Sequence, residues 1–420
     1  MSGHPRSNAA RRATQSFKDS TVSTDLANGR RQRLLLCWGY HRAGWIEPFE
    51  RLRDRFDVAY LFYRTPEEEE GCLTDAPRFY WSDFPNAQAV LDRLGPGRVV
   101  FMALDGARSI GLNAVAKKRG IPTLIVHHGH LVDDPDQGNK ATASLKDGSP
   151  LSAVRFVARS FGPSGLGATI RTVQLMRDVR AHGPQAALPR HRFDARVPDL
   201  YVALSPESAK AHVRQDGVDP TRVRCIGVPE YDRVFQETSR RPPTGGPLLL
   251  IDSPNAENRW GITTMSKYEK SRMLEHLDCT AGAAGLRLIV KLHPETYEAT
   301  WLPRLSNGTY LRDAEMHEQF DAASVCLGFD STLMIPAVWL RPTIFFSLRP
   351  SRIIDLAGEV GAGTIVNDPL SISTTTFVEA AMRFDDTESA RSEYVSHLAF
   401  SPDGRAVERL AAVLAGPIPT

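Results

Sequence analysis

The sequence predicts an α/β protein of two domains, each built on a parallel sheet covered by helices, and three observations predict it. At 420 residues the chain exceeds one ordinary domain of about 100–200 residues. Short continuous apolar runs, each ending at a glycine or a polar loop, alternate with stretches of helical period, which is the rhythm of parallel βαβ units. Between two such series lies RRPPTGGP at Arg240–Pro247, with the prolines and glycines of a linker.

Residues 1–32, rich in Ser, Arg, Asn and Ala and without helical period, read as a disordered tail. Order is expected to begin with RLLLCWGY, followed by a helix over Ile46–Phe56 and the strand DVAYLFYR. A helix at Ala87–Leu94, the strand within GPGRVVFMALDG, a helix at Ala107–Arg119 closed by Gly120, and the strand IPTLIV continue the series. The pattern lapses over 137–198, a basic insertion with ten Lys and Arg against Asp147, Asp178 and Asp194; Ala153–Phe161 and Ala168–His182 are its helix candidates. DLYVALS, a helix at Pro206–Gln215 and RVRCIGVPEYD complete the first series. The second comprises LLLIDS, a helix near Lys267–Ala284, LRLIVKLHP, ASVCLGFDST and PTIFFS, with late helices at Thr375–Arg383 and Arg405–Leu414. The domains are accordingly a Rossmann-like 33–238, a linker at 239–247 and a Rossmann-like 248–420.

An apolar fraction of 42% with 24% charged residues is that of a globular chain, and a net charge of +2 argues against nucleic acid as partner. No apolar run reaches the length of a membrane span and no leader is evident, so a cytoplasmic location is expected. The five cysteines are scattered without CxxC pairs, which reads as buried inert thiols and gives no zinc site.

Ligands of open parallel sheets bind at the carboxyl ends of strands. That rule selects seven loops: Gly39–Gly44, Asp105–Ser109, His127–Asp134, Gly227–Asp232, Asp252–Asn258, Lys291–Glu295 and Gly328–Thr332. In VKLHPE, Lys291 and His293 alternate along a strand and share a face, suited to a phosphate or a ribose hydroxyl, or simply to a solvated strand end. Gly328, Asp330, Ser331 and Thr332 open the helical run LMIPAVWL, where backbone N–H groups and hydroxyls offer an anion site or a plain N-cap. HHGHLVDD crowds three histidines and two aspartates, but His127 and His128 point to opposite faces of a strand and cannot easily share a metal. His128 is the candidate general base, with a purely structural role as the other reading; Asp105 and His41 are lesser candidates of the same kind. The absence of GxGxxG, GxxxxGK[ST] and GxSxG disfavours dehydrogenase, P-loop and α/β-hydrolase chemistry.

IVHHG, LSPESAKAHV, VRCIGVPEYDRV, VKLHPE and GFDST follow one another in an order that resembles the CDP-glycerol glycerophosphotransferases and bacterial capsule polysialyltransferases, and more distantly the UDP-GlcNAc 2-epimerases. The resemblance covers about residues 120–350 and implies the GT-B arrangement of two facing Rossmann-like domains. It implies that His293, with Pro294 and Glu295, contacts the donor nucleotide, and that Ser331 and Thr332 hold its phosphate. His128 takes the position of the glycerophosphotransferase HG histidine. Ser253 and Gly227, on two of the seven loops, complete the expected donor set. The second domain opens with IDSPNAEN where the glycerophosphotransferases carry a threonine–arginine-type loop, and Arg33–Gly120 matches neither family.

The expected activity is transfer of a sugar or polyol phosphate from a nucleotide-activated donor to a hydroxyl of a saccharide or lipid-linked acceptor, in surface or capsular polysaccharide synthesis. No metal and no cofactor are called for. A sugar-nucleotide epimerase and a non-catalytic member of a capsule assembly complex are the alternatives. The basic insertion has two readings: a solvated face, or a peripheral contact with the anionic inner face of the membrane.

Overall fold

The apolar runs become strands because each is covered on both faces. In the computed structural model, which describes residues 31–38, 43–63, 74–126, 150–162, 165–257 and 263–418, two separate sheets form and every strand pair in them is parallel. The first contains β1 (Arg33–Trp38), β2 (Asp57–Phe62), β3 (Arg78–Tyr80), β4 (Arg98–Phe101), β5 (Thr123–Val126), β6 (Leu200–Ala203) and β7 (Val223–Cys225), in the order β3-β2-β1-β4-β5-β6-β7. The second contains β8 (Leu248–Ile251), β9 (Leu288–Lys291), β10 (Gly308–Leu311), β11 (Val325–Gly328), β12 (Thr343–Phe346) and β13 (Thr364–Val366), in the order β10-β9-β8-β11-β12-β13. Strand order therefore reverses once in each sheet, between β1 and β4 and between β8 and β11. Those two points open crevices at the strand carboxyl ends.

Local chemistry sets the helix boundaries. Pro206–Asp216 starts where Ser205 accepts from Ser208 N and ends at left-handed Gly217. Lys267–Ala283 begins in a reciprocal box between Ser266 and Glu269. The insertion forms the helices Pro150–Phe161 and Leu166–His182, packed on Ala107–Lys118.

One helix departs from expectation. The segment read as Ile46–Phe56 is helical only over Ala43–Glu50 and contains Pro48, which removes a backbone donor. Turns with Arg53 N bonded to Glu50 O and Arg55 N to Leu52 O follow. Phe56 N still bonds Leu52 O at 2.9 Å, so Leu52 and Phe56 stay buried as a continued helix would bury them.

The end of the chain returns to the first sheet. Buried Asp232 receives Ala406 N at 2.8 Å and Val407 N at 2.9 Å, satisfying the first turn of helix Ala406–Ala415. At its far end Gly416 O accepts from Arg98 of β4 at 2.7 Å, and Leu410 and Leu414 enter the core that holds Leu34 and Leu36.

Candidate functional site

The crevice between β8 and β11 gathers most of the expected site residues. Asp252 and Ser253 follow β8, His293 and its neighbours follow β9, and Phe329–Thr332 follow β11. Register pairs Ile251 with both Lys291 and Gly328, so the three loops emerge side by side. Gly328 is compelled by packing: a Cβ there would lie 2.4 Å from Met334 Sδ and 3.1 Å from Ile251 O.

A buried polar network holds these loops. Lys270, fully excluded from solvent, meets Asp252 Oδ1 at 2.8 Å and Glu257 Oε1 at 3.0 Å, and donates to Ser253 O at 2.9 Å. Asp252 Oδ2 accepts from Thr296 Oγ1 at 2.9 Å and from His293 N at 3.3 Å; Thr296 Oγ1 also lies 3.2 Å from Glu257. Two carboxylates thus share one buried ammonium. Its effect is to fix the backbone of His293 against the end of β8.

The side chains of the His–Pro turn are differentiated. His293 Nδ1 accepts from Glu295 N at 3.3 Å, so the neutral ring carries its proton on Nε2. Burial holds the imidazole below its usual range, although the carboxylates of Glu295 and Asp252 pull the other way. Pro294 opens the short 3-10 turn Pro294–Thr296 that His293 caps. Lys291 Nζ donates to Leu292 O at 3.0 Å and Arg312 O at 2.7 Å, with Tyr297 Oη 3.3 Å away. Its pKa is lowered by burial, against the pull of Asp313 and Asp252. The Lys291 ammonium thus ties β9 to the loop after β10.

On the opposite lip, Asp330 is paired side-on with Arg349, whose Nε and Nη2 approach Oδ2 at 2.9 and 2.6 Å. Ser331 Oγ accepts from Leu333 N at 3.3 Å and helix Met334–Leu340 starts one residue later. Thr332 is exposed, and its carbonyl receives Tyr231 Oη at 2.6 Å, a bond that crosses from the segment after β7 to this turn.

Two expected residues lie elsewhere. Gly227 has φ +92°, and a Cβ on it would sit 2.9 Å from Arg409 Nη2 and 3.3 Å from Ala399 O, beneath the last two helices. Asp105, half-buried, stands after β4 at the crevice of the first sheet. His128 and His41 fall outside the described residues.

No family model matches the chain, and neither does any curated protein. Solved structures do. The glycosyltransferase of kitacinnamycin superposes with a TM-score of 0.52 at 15% identity, over 92% of this chain and 100% of that one. The calicheamicin glycosyltransferase CalG4 gives 0.51 at 14%, over 93% and 100%. The wall teichoic acid polymerase TagF gives 0.52 at 11%, over 91% and 88%. The chain has the GT-B fold. The glycerophosphotransferase resemblance of the motifs and the likeness to TagF thus agree on architecture.

Within this GT-B frame, sequence reasoning overlooked Lys270, Thr296 and Arg349. Lys270 had a readable signal, for it lies three, four and seven residues before Met273, Leu274 and Leu277 on the buried face of its helix. A lysine on an apolar stripe requires a buried counter-charge. Arg349 follows β12 at a strand carboxyl end, the same rule that selected the other loops.

Proposed function

We propose that the chain transfers a sugar, or a polyol phosphate, from a nucleotide-activated donor to an acceptor hydroxyl in surface or capsular polysaccharide synthesis. The single observation behind this reading is the second crevice: a neutral imidazole whose Nε2–H has no partner among the described residues, in one crevice with a hydroxyl-bearing turn, at the place where a GT-B fold accommodates a nucleotide. His293 donates from Nε2 to the nucleotide, and Ser331 and Thr332 receive its phosphate. Asp330 is neutralised by Arg349, so this lip presents no net negative charge to a diphosphate. Lys291 acts by holding the loop and by its field. Ser253 and Glu295 border the same site, and Gly227 shapes the approach from the first half.

Chemically, the acceptor oxygen forms the new bond to the transferred group as the bond to the nucleotide phosphate breaks. The acceptor proton passes to His128, with Asp105 or His41 as the alternative base, and the departing phosphate keeps the electron pair. Fixed donors at that phosphate stabilise the charge as it develops. The acceptor is a saccharide, free or carried on lipid. Nucleotide-activated donors are made in the cytoplasm, so the protein is assigned there, with a lipid-linked acceptor drawing it to the inner face of the membrane.

Thermal-shift titration with CMP, CDP, UDP and GDP tests the donor site. A nucleotide at about one hundred times its Kd stabilises the chain by about 2.7 kcal/mol, and His293→Ala abolishes the shift. Turnover assays with the matching nucleotide sugar or CDP-polyol then test His128→Ala. If no nucleotide shifts the wild type and no donor is consumed with any acceptor, the proposal fails.

A further inference from the structure

The two insertion helices present a face that the transfer reading does not use. Helix Leu166–His182 turns Thr172, Leu175 and Val179 inward, where Leu175 and Val179 pack with Ile110 and Phe193. Its outer ridge runs Leu166, Ile170, Val173, Arg177 and Arg180, spaced three or four residues apart as one helix line requires. The apolar members are far from buried: Leu166 is 65% exposed, Ile170 49% and Val173 38%. On the adjoining helix Pro150–Phe161 the outer line is Leu151, 69% exposed, then Arg155 and Arg159.

Among the described residues, exposed charge on the two helices has one sign. Arg155, Arg159, Arg171, Arg177 and Arg180 are all exposed. None meets a carboxylate among the described residues. The one acid of the two helices, Asp178, is half-buried and bound to His191 Nε2 at 2.7 Å. That hydrogen bond, followed by the charges of His191, Arg177 and His182, holds Asp178 below its usual range against the opposing effect of burial, so the carboxylate stays charged and is held by His191.

We propose that this face docks on an anionic lipid bilayer. Protein interfaces tend to separate an apolar centre from a charged rim. Here leucine, isoleucine and valine share single ridges with arginines, which suits a bilayer boundary: branched side chains enter the acyl margin while guanidiniums reach headgroup phosphates at nearly the same depth. No helix of the described residues is long and apolar enough to cross a membrane, so the contact is lateral. The insertion helices rest on helix Ala107–Lys118, which begins two residues after Asp105. A bilayer on their outer face therefore lies over the half of the molecule assigned to the acceptor. The inference names where a lipid-linked acceptor would be met, yet its test requires no donor, and nucleotide binding measured in parallel separates its failure from that of the transfer reading.

Flotation of the full chain with vesicles of mixed phosphatidylcholine and phosphatidylglycerol, against phosphatidylcholine alone, is decisive. Binding is expected only to the anionic vesicles and is expected to weaken as salt is raised. Arg171→Glu/Arg177→Glu/Arg180→Glu and, separately, Ile170→Glu/Val173→Glu should each lower the bound fraction at least about tenfold with unchanged melting and unchanged nucleotide affinity. Should the triple variant fail to fold, Ile170→Glu alone and the salt series carry the test. No flotation with the anionic vesicles, or binding untouched by both the charge and the apolar substitutions, overturns the proposal. So does a wild-type dimer that Ile170→Glu dissociates without any effect of lipid, which would make a second copy the occupant.

Discussion

Lys270→Met is the most demanding perturbation of the site. The ammonium is fully buried and touches Asp252 Oδ1, Glu257 Oε1 and Ser253 O within 2.8–3.0 Å. Methionine fills the same volume but leaves two buried carboxylates and a carbonyl without their cation. Removing one partner of a buried pair costs about 3–5 kcal/mol. For a domain of this size each kcal/mol moves Tm by about 2–4 °C, so a loss of about 6–20 °C is expected in the transition of the second half. The penalty comes from charge, not shape. Lys270→Met combined with Asp252→Asn and Glu257→Gln should therefore recover much of it, a coupling that separate single substitutions would not reveal. Differential scanning calorimetry of wild type, single and triple variants measures both effects. Nucleotide affinity should fall in the single variant, because Asp252 no longer holds His293 N from a fixed position. A Tm loss below about 2 °C for Lys270→Met, or a triple variant no better than the single, would refute the argument that the ammonium balances this cluster.

Two further outcomes concern contacts between the halves. Burial raises the Glu207 carboxyl, but the hydrogen bond and charge of Lys210 and the charges of Arg352 and His397 outweigh it and hold the group below the ordinary glutamate range. Its stability is thus present above the unfolded pKa and lost as pH falls below about 4.3; Glu207→Gln should flatten the acid limb of the Tm–pH profile, and an unchanged limb would reject the assignment. Asp232→Ala removes the acceptor of Ala406 N and Val407 N and should cost about 0.5–2 kcal/mol. Faster hydrogen exchange confined to 406–416 is the signature, and uniform protection there would contradict it.

Buried strands were legible from sequence, and of the four edge strands of the two described sheets only β7 was. β1, β4, β8, β11 and β12 are continuous apolar runs sealed on both faces, and such runs have few alternative readings. β3, β10 and β13 are partly exposed edges of three or four residues, RFY, GTYL and TIV, with too little apolar period to separate them from loops. Helix Glu388–Ala399 was hidden for a related reason. Its buried face includes Arg391, which donates to Trp339 O and stacks on Phe384 3.6 Å from the ring centroid, so one of its inward positions reads as polar. At the site, strand ends could be located from pattern alone. The partners of the side chains there could not, because Lys270, Arg349 and Tyr231 lie 18, 19 and 101 residues in sequence from Asp252, Asp330 and Thr332.

The stretch VRCIGVPEYDRV shows how one motif divides its residues. Gly227 takes a left-handed conformation against Arg409 and Ala399, Tyr231 reaches Thr332 O, and Asp232 caps the last helix. Burial raises the Tyr231 phenol, so it remains a neutral hydroxyl donor to that carbonyl. Adjacent residues thereby bind the turn at Thr332 and the helix that returns to β4. Hinging of the two halves must either break the Tyr231–Thr332 bond or carry Pro229–Tyr231 along with the turn, straining Asp232 against Ala406. Tyr231→Phe isolates the first alternative: it preserves the ring and deletes one hydrogen bond of about 0.5–1.5 kcal/mol. If the bond restrains the turn, the variant loses nucleotide affinity by up to about tenfold while the helix at 406–415 keeps its exchange protection. Loss of that protection together with affinity would instead make the whole segment one mechanical unit, with Asp232 at its centre.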